Sequence, residues 1–239
     1  MRKKVGVLMI LFVVLLLIIA SVIFYFHNKE KKNTHIEFSK EVAPYTKSKE
    51  ESFTFEETEE LNISSVSTNL DIKQEECSKI TVKLLKKVGD TSEKYLEEAM
   101  EHIICEMKDG TLEIGTAKGY QPTVNSQYAK AELTIPKTMK SINIVSQTGN
   151  IEMEGSYDKI VIDSNTGEVQ LNIKNLDAKD KFLLNGDIGN INIKLPKQSE
   201  IKLCGSRQQD IKLGDGILVG EDGAVIEVNK TTSRIKIIN

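Results

Sequence analysis

A short turn motif recurs along the second half of this chain and constrains its fold more than any other feature. Thr148–Ile151, with the sequence TGNI, returns as Thr166–Val169, with the sequence TGEV. Related turns follow at Gly189 and Gln209, so the steps between positions 149, 167, 189 and 209 are 18, 22 and 20 residues. A weaker relative, Thr68–Ile72, lies earlier in the chain. Self-similarity on this scale is typical of repeat architectures, in which successive units stack on one another.

Apolar and polar residues alternate on both sides of each turn, which is the pattern of short, half-buried β-strands. One such unit cannot bury its apolar side alone, whereas stacked units share a continuous core. The sequence therefore predicts a mainly β fold, a β-solenoid-like or rolled repeat sheet with one short helix. An ordinary β-sandwich is the alternative, because it also has a short strand about every 8–12 residues. The residues predicted to point inward are Ile142, Ile144, Ile151, Met153, Ile160, Ile162, Val169, Leu171, Phe182, Leu184, Ile191 and Ile193.

A helical segment interrupts the strands in the first half of the chain. Asp90 lies three residues before Glu93 in a capping-box arrangement, and apolar residues then recur at helical spacing. The helix is predicted from about Ser92 to about Glu101. A strand through Cys105 follows, with a hairpin turn at 109–110. The segment 115–130 has little pattern and is predicted to be a loop.

The N-terminal block Val5–Phe26 carries no charge over 22 residues. About 20 apolar residues suffice to span a bilayer, so this block predicts a transmembrane helix. A cleaved signal peptide is the alternative, although its apolar region is normally only about 7–15 residues long. Three basic residues lie on each side, and the short basic tail favours a cytoplasmic N-terminus with the C-terminal domain extracytoplasmic. The predicted divisions are a cytoplasmic tail at 1–4, the transmembrane helix at 5–26, a stalk at 27–52 and a β-repeat domain at 53–239.

Residue types suited to catalysis are few. Of three histidines, only His102 lies within the predicted β-repeat domain, and an amphipathic helix accounts for it without catalysis. The chain contains no HExxH, CxxC or phosphate-binding GxxxxGK[ST] motif. Acidic residues near glycines suit Ca²⁺, but they match no known calcium-binding loop or repeat, and ordinary turn chemistry explains them. These residues are Asp187, Asp210, Asp215, Glu221 and Asp222. We therefore predict no catalytic, cofactor-binding or metal-binding residues and a protein that is not an enzyme.

The number of cysteines bears on disulfide bonding, and the net charge bears on the class of partner. Three cysteines are a poor disulfide framework because their number is odd. Either Cys77 and Cys105 form one disulfide and Cys204 stays free, or all three are small core residues. The formal net charge of -3 at pH 7 is too small to indicate a nucleic-acid-binding protein. An extended polar surface on stacked strands instead suits a protein or a polymer.

Several segments together resemble the bacterial "putative adhesin" family, a domain of unknown function built of repeated β-strands. They are ELNISSVSTNLDIKQ, ITVKLLKKVGDTSEKYLEEAMEHIICEMKDGTLEIG, LTIPKTMKSINIVSQTGNIEMEG and VIDSNTGEVQLNI, and the resemblance covers roughly Phe53 to Asn239. The resemblance implies a repeat-built β domain that often follows one membrane span, and an accessory role in cell-envelope stress signalling for some members. The family has no agreed catalytic residues, so none is assigned here.

The sequence thus predicts a non-enzymatic, membrane-anchored protein of the bacterial cell envelope. Its expected role is surface binding or an accessory function in the envelope-stress response. Its expected partners are the membrane and either an envelope protein or a cell-wall polymer, with no nucleic acid and no cofactor. The alternatives are a structural surface protein that assembles with itself and a cryptic envelope enzyme.

Overall fold

The computed structural model describes residues 45–206, 210–232 and 234–239 of the chain. These residues form eighteen β-strands and one α-helix, which we number in chain order. The strands are β1 (Lys47–Glu56), β2 (Glu60–Val66), β3 (Asn69–Glu75), β4 (Lys79–Gly89), β5 (Ile103–Lys108), β6 (Thr111–Thr116), β7 (Ser126–Pro136), β8 (Ser141–Thr148), β9 (Ile151–Gly155), β10 (Lys159–Thr166), β11 (Val169–Ile173), β12 (Lys181–Ile188), β13 (Ile191–Lys194), β14 (Glu200–Cys204), β15 (Ile211–Leu213), β16 (Leu218–Val219), β17 (Ala224–Thr232) and β18 (Ile235–Ile238). The helix α1 (Glu93–Glu101) lies between β4 and β5.

The strands form two mixed sheets of nine strands each. Sheet A has the order β1-β4-β7-β3-β9-β11-β13-β18-β15. Sheet B has the order β16-β14-β17-β12-β10-β8-β2-β6-β5. The prediction of a mainly β fold with one short helix is therefore confirmed for the described residues.

Successive repeats contribute one strand to each sheet, and these strands pair in parallel. In sheet B, Ile142 of β8 pairs with Ile160 of β10, which pairs with Phe182 of β12. In sheet A, Ile151 of β9 lies beside Val169 of β11. The 18- and 22-residue steps thus become strand-to-strand neighbours. All twelve residues predicted to point inward are buried, with at most 2% of the side chain exposed, and both sheets contribute to one hydrophobic core.

The C-terminal strands do not follow chain order. β17 pairs with β12 on one side and with β14 on the other, so β17 and β18 lie between two repeats that are consecutive in sequence. The apolar alternation explains this order. Ile226, Val228 and Ile237 of the inserted strands are fully buried, whereas Leu213 of β15 and Leu218 of β16 are 41% and 57% exposed at the sheet edges. The more apolar pair occupies the inner position, where it removes more apolar surface from water.

The antiparallel pairs lie in the first third of the domain, where β2 and β3 nonetheless pair in parallel with their neighbours. β4 pairs with both β1 and β7, and β5 and β6 form the predicted hairpin. Asp109 and Gly110 both have positive φ, at 49° and 78°, as a two-residue type I′ turn requires. The predicted loop at 115–130 is shorter than expected. β7 begins at Ser126, because pairing with β4 extends the strand through a segment whose own pattern is weak.

Helix α1 begins one residue after the predicted start and ends at the predicted residue. The expected capping box does not form: Ser92 is the N-cap residue and makes no side-chain cap. Instead, Asp90 Oδ1 accepts a hydrogen bond from the Ser92 N–H at 2.9 Å. Leu96, Ala99 and Met100 are the buried residues of the helix, which contacts β4 and β5.

The predicted transmembrane helix at 5–26 and most of the stalk lie outside the described residues. Strand β1 begins at Lys47, so residues 47–52 of the predicted stalk belong to sheet A. Within the described parts of the chain, no helix is long and apolar enough to cross a membrane.

All three cysteines are free thiols, so Cys77 and Cys105 do not form a disulfide in this structure. Cys77 is exposed, Cys204 is half-buried and Cys105 is buried. Only Cys105 therefore fits the interpretation as a small core residue, and burial raises the pKa of its thiol to about 12.

Candidate binding surface

The repeated turns hold the strands of neighbouring repeats in register. Gly149, Gly167 and Gly189 have φ values of 137°, 139° and 139°. A Cβ on Gly167 would lie 2.0 Å from the carbonyl oxygen of Gly149, and one on Gly189 would lie 1.7 Å from that of Gly167. Because only glycine adopts this backbone conformation without strain and leaves room for such an approach, the three turns can stack directly.

A ladder of side chains runs beside the stacked glycines. Asn69 Oδ1 accepts a hydrogen bond from the Asn150 N–H at 2.9 Å, and Asn150 Oδ1 accepts one from the Glu168 N–H at 3.0 Å. The amide of Asn190 then donates to Glu168 Oε1 at 2.7 Å. Each link joins equivalent positions of neighbouring repeats. The turns therefore fix which outward-facing residues of successive strands lie side by side.

The outer side of sheet A is the surface that this register creates, and we call it the polar face. Its first row runs through Asp71, Glu152, Gln170, Asn192, Lys236 and Lys212, each the register partner of the next. Its second row runs through Lys73, Glu154, Asn172 and Lys194. Adjacent strands lie about 4.8 Å apart, so the side chains of one row are close neighbours.

In the part of the polar face nearest β7, lysines and carboxylates neutralise one another. Lys130 Nζ lies 2.7 Å from Glu132 Oε1 and 3.8 Å from Asp71 Oδ2. Lys174 Nζ lies 3.0 Å from Glu154 Oε1, and the Asn172 amide donates to the other oxygen of Glu154 at 2.8 Å. The Lys174 and Asn172 hydrogen bonds lower the pKa of Glu154, although partial burial opposes them.

The opposite part of the polar face, which we call the cationic part, consists of Lys194, Lys212, Arg234 and Lys236. All four residues are exposed. Among the described residues, none of the four forms an ion pair. Charge is therefore distributed unevenly along the polar face. Ion pairs near β7 give way to the amides of β11 and β13, and then to cations on β13, β18 and β15 that form no ion pair with any described residue.

Two adjoining cavities lie on the polar face. One, of about 380 Å³, is centred on β9, β11 and β13 and is lined by residues that include Glu154, Gln170 and Asn172. The other, of about 570 Å³, lies over the cationic part. The two cavities share Asn192 and Lys236 in their linings. A ligand longer than one sugar or amino acid could thus contact both.

The residues considered from the sequence for chemistry do not come together as a site. The ring of His102 stacks on Tyr120 with the centroids 4.0 Å apart, and its Nδ1 lies 2.8 Å from the Glu98 carbonyl oxygen. Glu221 forms an exposed ion pair with Lys202. Asp210 lines the 570 Å³ cavity. In the described parts of the chain, no three histidine, cysteine, aspartate or glutamate side chains are placed to hold a metal ion.

Sequence reasoning did not find the polar face, although the signal was present. The register partners Glu154 and Asn172 are 18 residues apart, and Glu168 and Asn190 are 22 residues apart. These are the steps of the turn motif. Applying them to the polar positions as well as to the apolar ones would have aligned the middle of both rows, from β9 to β13. Asp71 and Lys236 lie 81 and 44 residues from their partners Glu152 and Asn192, so these steps do not reach them.

No family model and no curated protein matches this sequence. Several solved structures, however, are similar to this chain. A protein from Clostridium sporogenes described as a putative cell adhesion protein is 18% identical, with a TM-score of 0.50 over 81% of this chain and 98% of that one. A putative adhesin from Bacteroides fragilis is 15% identical, with a TM-score of 0.40 over 82% of this chain and 99% of the other.

At these identities the likeness concerns the fold, and the Clostridium sporogenes protein carries that comparison. The similarity extends over nearly the whole length of that protein, so the match is to an entire domain. The chain shares its fold with this bacterial protein, described as a putative cell adhesion protein, and the family resemblance found in the sequence is confirmed at the level of the fold.

Proposed function

We propose that this protein is a non-enzymatic surface-binding module of the bacterial cell envelope, and that the polar face is its binding surface. The observation that carries the proposal is the register of charged and amide side chains over six adjacent strands of sheet A, with two adjoining cavities between them. Similar structures described as adhesion proteins support a binding role. The parallel strands are best understood as a short β-solenoid, since equivalent positions of successive repeats lie side by side.

We further propose that Val5–Phe26 anchors the protein in the cell membrane, with the β domain outside the cytoplasm. The uncharged length of this segment supports the anchor. Cys77 offers a natural reporter of topology, because its thiol is exposed. In intact cells, a membrane-impermeant maleimide should label wild-type protein and fail to label the Cys77→Ser variant at this site. Labelling that requires cell lysis would contradict the proposed topology.

An accessory role in the envelope-stress response is the physiological part of the proposal, and the family resemblance motivates it. The gene would be deleted and then restored either as the full chain or without Val5–Phe26. An envelope-stress promoter would be measured after challenge with a cell-wall antibiotic. We expect a changed response that only the anchored form restores. An unchanged response in the deletion strain would refute the signalling role and leave the binding role to be tested separately.

Self-association is a second candidate function. The two edge strands that come from the C-terminal part of the chain favour it. β15 and β16 are edge strands, and Leu213, Leu218 and Val219 are exposed there. Unpaired edges with apolar side chains can template pairing with another chain. The other edge of sheet A, β1, carries Lys49 and Glu50, which discourage such pairing. Light scattering after size-exclusion chromatography decides the question, because a monomer at every concentration rules out self-association.

A further inference from the structure

Repulsion within the cationic part of the polar face lowers the stability of the isolated protein. Lys212 and Lys236 are register partners on adjacent strands, and like charges directly opposite each other destabilise a sheet. They lie well within the Debye length of about 8 Å at physiological ionic strength, so salt screens their repulsion only in part. Asp71 and Glu152 are likewise like-charged register partners, but there two lysines offset the repulsion. Asp71 Oδ2 lies 3.5 Å from Lys73 Nζ and 3.8 Å from Lys130 Nζ.

Cations outnumber acids in the cavity over the cationic part. Lys212, Arg234 and Lys236 line it, and Asp210 is the one carboxylate among the lining residues that the structure describes. Asn190 and Asn192 complete the polar lining. The cavity thus combines excess positive charge with amide groups that both donate and accept hydrogen bonds. That combination suits a ligand carrying several negative charges and hydroxyl groups.

We propose that the cationic part binds a linear, phosphodiester-linked glycopolymer of the cell envelope. This inference rests on the proposed binding role of the polar face and names its ligand class. A polymer fits better than a single anion, because the cations lie on three adjacent strands, β13, β18 and β15. Repeated phosphates contact several cations at once, while the amides of Asn172 and Asn192 face the hydroxyl groups of the sugar or polyol units.

The test uses purified full chain in detergent and linear poly(glycerol phosphate) immobilised for biolayer interferometry. A triple variant, Lys194→Gln, Lys212→Gln and Lys236→Gln, removes three charges from the cationic part. We expect affinity to fall by roughly tenfold or more, because each cation contributes through a close Coulomb interaction. Raising the salt concentration should weaken wild-type binding and affect the triple variant less. The matched control removes three ion-paired charges outside the polar face and should bind like wild type: Lys159→Gln, Lys179→Gln and Lys202→Gln.

Three results would overturn the inference. The first is equal binding by wild type and the cationic triple variant. The second is equal binding of wild type to uncharged dextran. The third is preferential binding to poly-glutamate, which would make an acidic protein segment the ligand.

Retention on isolated cell envelopes separates this inference from the proposed function. If wild type and the cationic triple variant are retained equally, the protein still binds the envelope, but not through a polyanion on the cationic part. If wild type itself is not retained, the proposed binding function fails as well.

Discussion

Replacing Gly167 by alanine tests whether close stacking of the turns holds the repeats together. Two costs add at this position. A side chain at φ 139° adopts a conformation that is essentially restricted to glycine, at about 1–3 kcal/mol. The new Cβ would also lie 2.0 Å from the Gly149 carbonyl oxygen, so the backbones must separate. Overpacking of this kind costs about 1–3 kcal/mol more. We therefore expect Gly167→Ala to lower the free energy of unfolding by roughly 2–6 kcal/mol.

Gly119 provides the matched control, because it has positive φ, at 84°, but nothing lies within 4 Å of its hypothetical Cβ. Gly119→Ala should cost about 1–2 kcal/mol through the backbone conformation alone. Urea unfolding of the full chain in detergent, followed by far-UV circular dichroism, measures both variants. With a slope of about 2 kcal/mol/M, the Gly167 variant should lose about 1–3 M in its midpoint. Equal midpoints for the two variants would refute the stacking argument.

Three further predictions follow from burial and charge. Ile162→Ala should lower the free energy of unfolding by about 2–5 kcal/mol, because the side chain is fully buried. The control Val145→Ala, at an exposed site, should change this free energy by less than about 1 kcal/mol in the same urea titration. At neutral pH a maleimide should modify the exposed Cys77 in the folded protein and leave Cys105 unmodified until urea is added, as mass spectrometry of tryptic peptides would reveal. Burial, with the nearby carboxylates as a smaller cause, raises the pKa of Asp180 above its ordinary value of 3.8. The folded state therefore holds this proton to higher pH than the unfolded state, so wild-type stability should fall relative to Asp180→Asn as pH rises from 3.8 through the folded pKa. A constant difference between the two proteins across this range would contradict the assignment.

The sequence was sufficient to predict which residues form the core of the repeats. Alternation identifies Ile160 and Ile162 as inward-facing whatever their neighbours are, because side chains in a strand have a period of two. The hairpin at Asp109 and Gly110 was equally predictable, since its turn depends only on local backbone chemistry. Local rules therefore specified local structure well.

Strand order was not predictable, because every repeat presents a similar apolar edge to the next. The insertion of β17 between β12 and β14 depends on which strand buries its side chains best, and that is a comparison across the whole domain. The start of β7 at Ser126 has the same origin, because its partner β4 is distant in sequence. The polar face depends on this order too. Lys212 and Lys236 become neighbours only because β18 lies beside β15.

Retention of the protein on isolated envelopes of its own host is the most direct test of the polar face as a binding surface. Gln170→Trp with Asn192→Trp would place two large side chains over the adjoining cavities. Asp163→Trp with Lys181→Trp, on exposed positions of sheet B, is the matched control. We predict saturable retention of wild type and the control, and loss of retention for the polar-face variant. Equal retention of all three folded proteins would contradict the central claim that this face binds the envelope.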